Sequence, residues 1–78
     1  MDNEIIGTVE TEPFEEPMAK GRITFEIWRD SDQKKMRCTT AYGQPKPDLE
    51  KGDKVRVTGV MRSNFMVDAI QVLSRKSA

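Results

Sequence analysis

The 78-residue sequence predicts an all-β protein, a five-stranded barrel with little or no helix. Apolar and polar residues alternate over short stretches, which is the period of a half-buried strand. Segments rich in glycine and proline separate these stretches and leave no long run with helical spacing. Chains of this size bury roughly 60% of their unfolded surface, enough for one small core. We therefore expect a single domain over residues 1–78, with an ordered barrel over about 4–73 and a short polar tail over 74–78.

The first predicted strand covers residues 4–10 (EIIGTVE), a β-rich run with Gly7 inside it. A glycine within a strand usually marks a bulge or the close approach of another backbone. Residues 11–21 (TEPFEEPMAKG) follow, and their prolines, glutamates and glycine predict an acidic loop.

The second strand is predicted over residues 22–29 (RITFEIWR). Its Ile23, Phe25 and Ile27 fall on one side and are expected to face the core. Trp28 then lies on the outer side, beside polar residues. A polar turn over residues 30–33 (DSDQ) ends this strand.

The third strand is predicted over residues 34–42 (KKMRCTTAY). The alternation places Met36 and Cys38 on the inner side and Lys35 and Arg37 on the outer side. Strands two and three are thus expected to share an outer face that is aromatic and basic.

Residues 43–49 (GQPKPDL) connect the third and fourth strands, and their prolines leave room for at most one helical turn, over 47–51. A Gly-Asp turn then starts the fourth strand. Val55 and Val57 are expected to face inward in that strand, and Gly59 interrupts the pleat.

A short hairpin turn over residues 62–64 (RSN) leads to the fifth strand, residues 65–73 (FMVDAIQVL). The alternation slips between Ala69 and Ile70, which predicts a bulge. Five short strands with a longer connection between the third and fourth suit a Greek-key barrel such as the OB-fold. Periodicity alone leaves an SH3-like barrel or a β-sandwich fragment open.

The order of motifs IIGTV, EPFEE, GRITFEI, MRCTTAYG, LEKGDKVRVTGVM and VDAIQVL resembles the OB-fold family of single-stranded DNA-binding proteins, which includes bacterial SSB and its primosomal relatives. The resemblance spans residues 5–73, and LEKGDKVRVTG is its most specific part. It implies a surface for single-stranded DNA across strands two and three. The connection between strands three and four is too short for the family's usual helix, and the family's long acidic-tipped tail is missing. The resemblance therefore implies a minimal barrel, such as a phage, plasmid or accessory protein in DNA replication or recombination.

Three aromatic residues are candidates for stacking on bases, as OB-folds do. Trp28 is the first candidate. Instead of stacking on a base, it could be covered by the acidic loop or by a second subunit. Tyr42 matches the aromatic residue of the family's base-stacking aromatic-Gly pair, although alternation places it in the core unless a bulge at Thr39 and Thr40 turns it outward. Phe65 follows the hairpin turn, and its alternative is also the core.

The candidate phosphate contacts are the basic residues on or beside this face: Lys34, Lys35, Arg37, Arg56 and Arg62. Their alternative role is a solvated strand face that prevents aggregation through strand edges. All charged residues over 2–16 are acidic, and the glutamates of 10–16 would repel a phosphate backbone if they lined the groove. The acidic loop is therefore either turned away from the groove or a docking site for a basic protein partner.

The composition excludes several classes of site. The chain has no histidine and a single cysteine, Cys38, so it predicts neither a disulfide nor a metal site. No pair of nucleophile and base and no phosphate-cradling glycine loop is present, so we expect no cofactor and no catalysis. No apolar run of about 18 residues occurs, which predicts no membrane segment and a cytoplasmic protein.

These observations predict binding of single-stranded nucleic acid, DNA before RNA, with little sequence preference. The alternative is an OB-fold adaptor or structural subunit that docks a protein through the acidic loop and an exposed strand. The first function requires Trp28 to be exposed beside positive charge, whereas the second requires it to be covered or flanked by glutamate. A barrel of this size is also expected to form a dimer, by pairing strand edges or by packing Trp28.

Overall fold

The computed structural model describes residues 3–76 and contains five strands: β1 (Asn3–Glu15), β2 (Ile23–Arg29), β3 (Lys34–Thr40), β4 (Lys54–Met61) and β5 (Phe65–Ser74). They close into a barrel in the order β1-β2-β3-β5-β4, with β4 paired to β1. The β3–β5 pair is parallel and the other four pairs are antiparallel. No helix occurs within residues 3–76, and hence none that could span a lipid bilayer. The predicted all-β, five-stranded OB-like barrel is confirmed.

The core consists of side chains that alternate along the strands. Ile23, Phe25 and Ile27 of β2 are buried, and Val55 and Val57 of β4 are fully buried, as their spacing predicts. The other members of the core are Ile5, Val9, Cys38, Leu49 and Phe65. Burying one such side chain stabilises the fold by about 1.5–3 kcal/mol, so the alternation itself supplies the main driving force for closing the barrel.

β1 is longer than predicted, because the chain stays extended as far as Glu15. Phe14 pairs with Thr24 on β2, and two register shifts interrupt the pairing of this half of the strand. Such irregularities leave residues without a ladder partner, so Pro13, which has no N–H to donate, is accommodated. The predicted acidic loop over 11–21 is wrong in its first half, which is strand.

Two glycines allow strands to approach more closely than any side chain would permit. A Cβ atom at Gly7 would overlap the backbone carbonyl oxygen of Trp28, and one at Gly59 would overlap that of Met66. Because both obstacles are backbone atoms, no side-chain rotation relieves them. The predicted interruption of the pleat at Gly59 therefore has a steric cause.

β5 contains the predicted slip, displaced by one position. Ala69 pairs with Thr58 and Val67 pairs with Gly59, which leaves Asp68 as the extra residue. The slip thus precedes Ala69 instead of following it. The bulge keeps apolar residues on the inner side of both halves of the strand.

The connection between β3 and β4 has no helical turn over 47–51, and its Leu49 is buried against the core. Asp53, at the end of this connection, is fully buried. Its carboxylate accepts hydrogen bonds from the backbone N–H groups of Glu50 and Lys76, each at 3.0 Å, and from the guanidinium of Arg75 at 3.0 Å. The two backbone hydrogen bonds, and then the charge of Arg75, lower the pKa of Asp53.

The carboxyl-terminal segment contributes to this cluster. β5 ends at Ser74, and Arg75 and Lys76, which fall in the predicted polar tail, both contact Asp53. Residues 77 and 78 of that tail lie outside the described residues. The contacts tie the end of β5 to the start of β4.

Candidate nucleic-acid interface

The outer face of β2 and β3 carries Trp28 together with two of the predicted basic residues. The register pairs Trp28 with Lys35 and Glu26 with Arg37 across the two strands. Side chains of directly opposed residues project to the same face of a sheet, about 5 Å apart at Cβ. The residues between them face the core, so these four side chains point away from it.

Trp28 is exposed on this face and held at two points. The residue is 38% exposed. Its indole Nε1–H donates a hydrogen bond to Oε2 of Glu10 at 2.8 Å. The ammonium of Lys35 lies 5.6 Å from the ring centroid, within the range of a cation–π contact. The indole is therefore oriented before any ligand arrives, which lowers the entropic cost of stacking a base on it.

Glu10 reaches the indole because β1 bulges at this point. Val9 pairs with Ile27 and Thr11 pairs with Glu26, so Glu10 is the extra residue between them. A bulge commonly re-aims a side chain. Here it places a carboxylate at the polar edge of the indole.

Arg37 is an exposed cation of the face. Its guanidinium lies 3.9 Å from Oε2 of Glu26, and its side chain remains 57% exposed. Glu26 also accepts a hydrogen bond from the Thr11 hydroxyl at 3.1 Å. An exposed ion pair of this length is worth at most about 1 kcal/mol, so a phosphate group can compete for the guanidinium.

One end of the face is closed by the neighbouring connections. Thr24 donates to the carboxylate of Glu16 at 2.7 Å, and the Asn64 amide donates to the hydroxyl of Thr39 at 3.4 Å. Both threonines are buried although they point outward. The second contact holds the β4–β5 turn, which carries the exposed Arg62, beside β3.

Tyr42 lies beyond the end of β3, where the strand periodicity no longer applies. It is 62% exposed, and the guanidinium of Arg22 lies 5.3 Å from its ring centroid. A backbone hydrogen bond from Gly43 to Gly21 holds the two connections together at this point. The alternative that places Tyr42 in the core is wrong, and a bulge at 39–40 is not needed, because the strand has already ended.

Phe65 does not belong to the interface. It is fully buried and pairs with Cys38 in the β3–β5 ladder. A base cannot reach the ring, so its inclusion among the predicted site residues is corrected. Phe65 is the first residue of β5, and in the alternation of that strand it falls on the side that faces the core.

Two of the predicted cations do not share the strand face of Trp28. Arg56 lies on β4, where its side chain pairs with Glu4 at 3.4 Å and donates to Gln71 of β5 at 3.3 Å. β4 does not neighbour β2 or β3 in the barrel, so Arg56 faces another side of the molecule. Lys34 is exposed at the start of β3, one residue out of phase with Lys35.

The site residues predicted from the sequence did not include two carboxylates that touch the candidate face, Glu10 and Glu26. Glu26 is visible in the alternation of β2, because it lies between Phe25 and Ile27 on the side of Trp28. Glu10 had no such signal, since its position depends on a bulge set by tertiary pairing. The face therefore combines cations on β3 with carboxylates on β1 and β2.

The described residues offer little to catalysis or metal binding. Burial raises the pKa of the Cys38 thiol to about 12, so this thiol is neutral and poorly nucleophilic. Within residues 3–76 no group of three or more potential metal ligands comes together.

No family model matches the chain, and no curated protein does. Among solved structures, the ZRD-deleted mutant of TiaS in complex with agmatine aligns with a TM-score of 0.78 and 23% identity over 95% of this chain. A complex of TiaS with a tRNA, AMPCPP and agmatine aligns with a TM-score of 0.75 and 26% identity over 95% of this chain. The chain spans 21% and 19% of those two chains, so the likeness concerns one barrel of a larger protein.

Proposed function

We propose that this barrel binds single-stranded nucleic acid through the outer face of β2 and β3 and has no catalytic role. Trp28 stacks on a base, and Lys35, Arg37 and Arg62 contact phosphates. The observation that carries the proposal is the exposed and oriented indole of Trp28. Lys35 lies over its ring, and Arg37 lies two residues further along β3 on the same face. A stacked base contributes about 1–3 kcal/mol to binding in such proteins.

The comparisons support the choice of ligand class. A TiaS chain with the same barrel geometry has been crystallised with a tRNA, and the OB architecture commonly binds oligonucleotides across strands two and three. The resemblance to the SSB family adds single-stranded DNA. We therefore propose a ligand defined by its single-stranded form, with DNA and RNA compared directly.

Trp28 provides the test, because it is the chain's single tryptophan. Titration with dT and U oligomers of equal length at low salt is expected to quench its fluorescence to saturation. If three phosphates are contacted, a tenfold increase in salt lowers the affinity about 100-fold.

A labelled oligomer measures the contribution of the indole independently. Trp28→Ala is expected to weaken binding about tenfold or more. Leu73→Ala, which removes an exposed apolar side chain from β5, is expected to leave it unchanged and serves as the control. A folded protein that retains neither oligomer at low salt would exclude the proposed function.

The second candidate function is an adaptor that docks a basic protein segment. The observation in its favour is that Glu10 and Glu26 touch the same face as Trp28 and Arg37. Retention of a lysine-rich peptide together with failure to retain either oligomer would select it.

A further inference from the structure

The candidate face has a basic half and an acidic half, and the boundary between them runs parallel to the strands. Its β3 side carries Lys35 and Arg37, whereas its β1 and β2 side carries Glu10 and Glu26. A nucleic-acid strand is also two-sided, with phosphates along one edge and base edges along the other. Charge complementarity favours an arrangement in which the phosphates lie over β3 and the base edges turn toward β1.

Glu10 is the carboxylate best placed to meet the edge of a base on Trp28. Its Oε2 accepts the indole N–H at 2.8 Å, which fixes the carboxylate at the rim of the ring. Its Oε1 accepts no hydrogen bond from any residue within 3–76, and Glu10 is partly exposed. An ionised carboxylate is an acceptor only, so it favours a base that presents N–H donors.

The four bases differ in the donors of their pairing edges. Guanine presents N1–H and the N2 amino group side by side, a spacing that matches the two oxygens of one carboxylate. Oε1 of Glu10 would accept one of these donors, and Oε2, which already accepts the indole N–H, would accept the other through its second lone pair. Cytosine and adenine present one amino group beside an acceptor nitrogen, which a carboxylate repels. Thymine and uracil present N3–H between two carbonyl oxygens.

We propose that Glu10 makes this face select guanine for the base stacked on Trp28, with the backbone running along β3. The inference rests on the proposed function. The sequence predicts little base preference, and we now expect a preference at one position, the base on Trp28. Nucleotides to either side of Trp28 are held through phosphates and stacking, which do not distinguish bases.

Competition against a labelled dT heptamer measures this selectivity. The competitors are unlabelled dT heptamers in which the central base is thymine, guanine or inosine, and inosine retains N1–H but lacks the N2 amino group. The central guanine is expected to improve binding about tenfold over thymine, with inosine between them. A single guanine per oligomer avoids four-stranded assemblies.

Glu10→Gln keeps the length of the side chain and removes its charge. In this variant the ratio of affinities for guanine and thymine is expected to fall to about one, while the affinity for the thymine heptamer stays equal or rises slightly. Glu12→Gln is the matched control, because Glu12 is an exposed glutamate of the same strand. It lines a surface cavity together with residues of the β3–β4 connection. This variant is expected to preserve the tenfold ratio.

Two results would overturn the inference while leaving the proposed function intact: equal affinities for guanine and thymine in the unmodified protein, or a guanine preference that survives Glu10→Gln. Failure of the labelled dT heptamer to bind at low salt would remove the proposed function and this inference with it.

Discussion

At the scale of single residues, the chemistry of the candidate face depends on a few polar contacts with the indole of Trp28. Glu10 orients the ring through its N–H, and Lys35 covers the ring with a positive charge. Neither contact buries Trp28, which remains 38% exposed. The residue is thus flanked by both signs of charge, a combination that neither of the two sequence hypotheses anticipated.

The cations of the face are expected to matter according to position and not merely charge. Lys35→Ala and Arg37→Ala should each weaken oligonucleotide binding several-fold and reduce the salt slope by about 0.7, the value for one lost phosphate contact on a single strand. Arg56→Ala removes the same charge from β4, where Arg56 pairs with Glu4. Equal losses from all three variants, measured by anisotropy at several salt concentrations, would contradict the assigned face.

The thiol of Cys38 is expected to be inert in the folded protein. Burial raises its pKa to about 12, so almost none of it is thiolate at pH 8. An aromatic disulfide reagent should react only after denaturation. Ser63→Cys, in the exposed β4–β5 turn, should add one thiol that reacts at once in the native state. Rapid native reaction of the unmodified protein would show that the core opens.

At the scale of elements, backbone irregularities shape the barrel and its face. The bulge at Glu10 turns a carboxylate toward Trp28, and the bulge at Asp68 keeps β5 in phase with the core. Gly7 and Gly59 let β1 and β4 approach their neighbours without a Cβ atom between them. These local breaks in the pleat are what allow five short strands to curve into a closed sheet.

Gly59→Ala is expected to destabilise the fold strongly, by about 3 kcal/mol, because the added methyl group would overlap a backbone oxygen of β5. Urea denaturation measures the loss. Gly43→Ala is the contrasting change: Gly43 has a positive φ of 81° but nothing within 4 Å of an added Cβ, so only backbone strain of about 1 kcal/mol is expected. A larger loss at Gly43 than at Gly59 would refute the steric account.

At the scale of the whole molecule, Asp53 joins segments that are distant in the chain. Its carboxylate receives hydrogen bonds from the β3–β4 connection and from the carboxyl-terminal segment. These donors favour the ionised form of the buried carboxylate, and losing the carboxylate would leave them unsatisfied. The contact therefore couples the stability of the barrel to pH.

The sign of this coupling follows from the lowered pKa of Asp53. The unfolded carboxyl titrates near pH 4, so the stabilisation is complete above about pH 4 and is lost as the pH falls toward the folded-state pKa. Asp53→Asn should lower Tm by roughly 10 °C at pH 7, and the difference from the unmodified protein should shrink below pH 4.

Asp32→Asn is the matched control for this pH dependence. Asp32 also has a lowered pKa, chiefly through its hydrogen bond with Arg29, but both side chains are partly exposed. Its loss should change Tm by only a few degrees, because solvent screens such pairs. A Tm difference for Asp53→Asn that stays constant from pH 7 to pH 3 would contradict the assigned role of the carboxylate.

The dimer expected from the size of the chain stays a prediction, and sedimentation velocity at several concentrations tests it. A dimer that packs Trp28 would quench or shift the indole emission with concentration, and it would compete with the oligonucleotide. A dimer formed through strand edges would leave the emission unchanged.

Much of the fold was predictable because strand periodicity is a local property. The inward positions of β2 and β4 and the outward positions of Trp28, Lys35 and Arg37 follow from alternation alone. The motif LEKGDKVRVTG also marked the turn into β4. Alternation failed where the ladder is irregular or ends: it missed the second half of β1 and left Tyr42 undecided between core and surface.

The sequence by itself determined the all-β class, the number of strands and the inward positions of β2 and β4, since these depend on the order of apolar and polar residues. Only the tertiary structure decided which carboxylates join Trp28, Lys35 and Arg37 on the candidate face and which of the predicted cations lie elsewhere. Glu10 joined Trp28 through a bulge, and Arg56 was separated from it by the closure of the barrel. Both outcomes depend on pairing between distant strands, which no local pattern encodes.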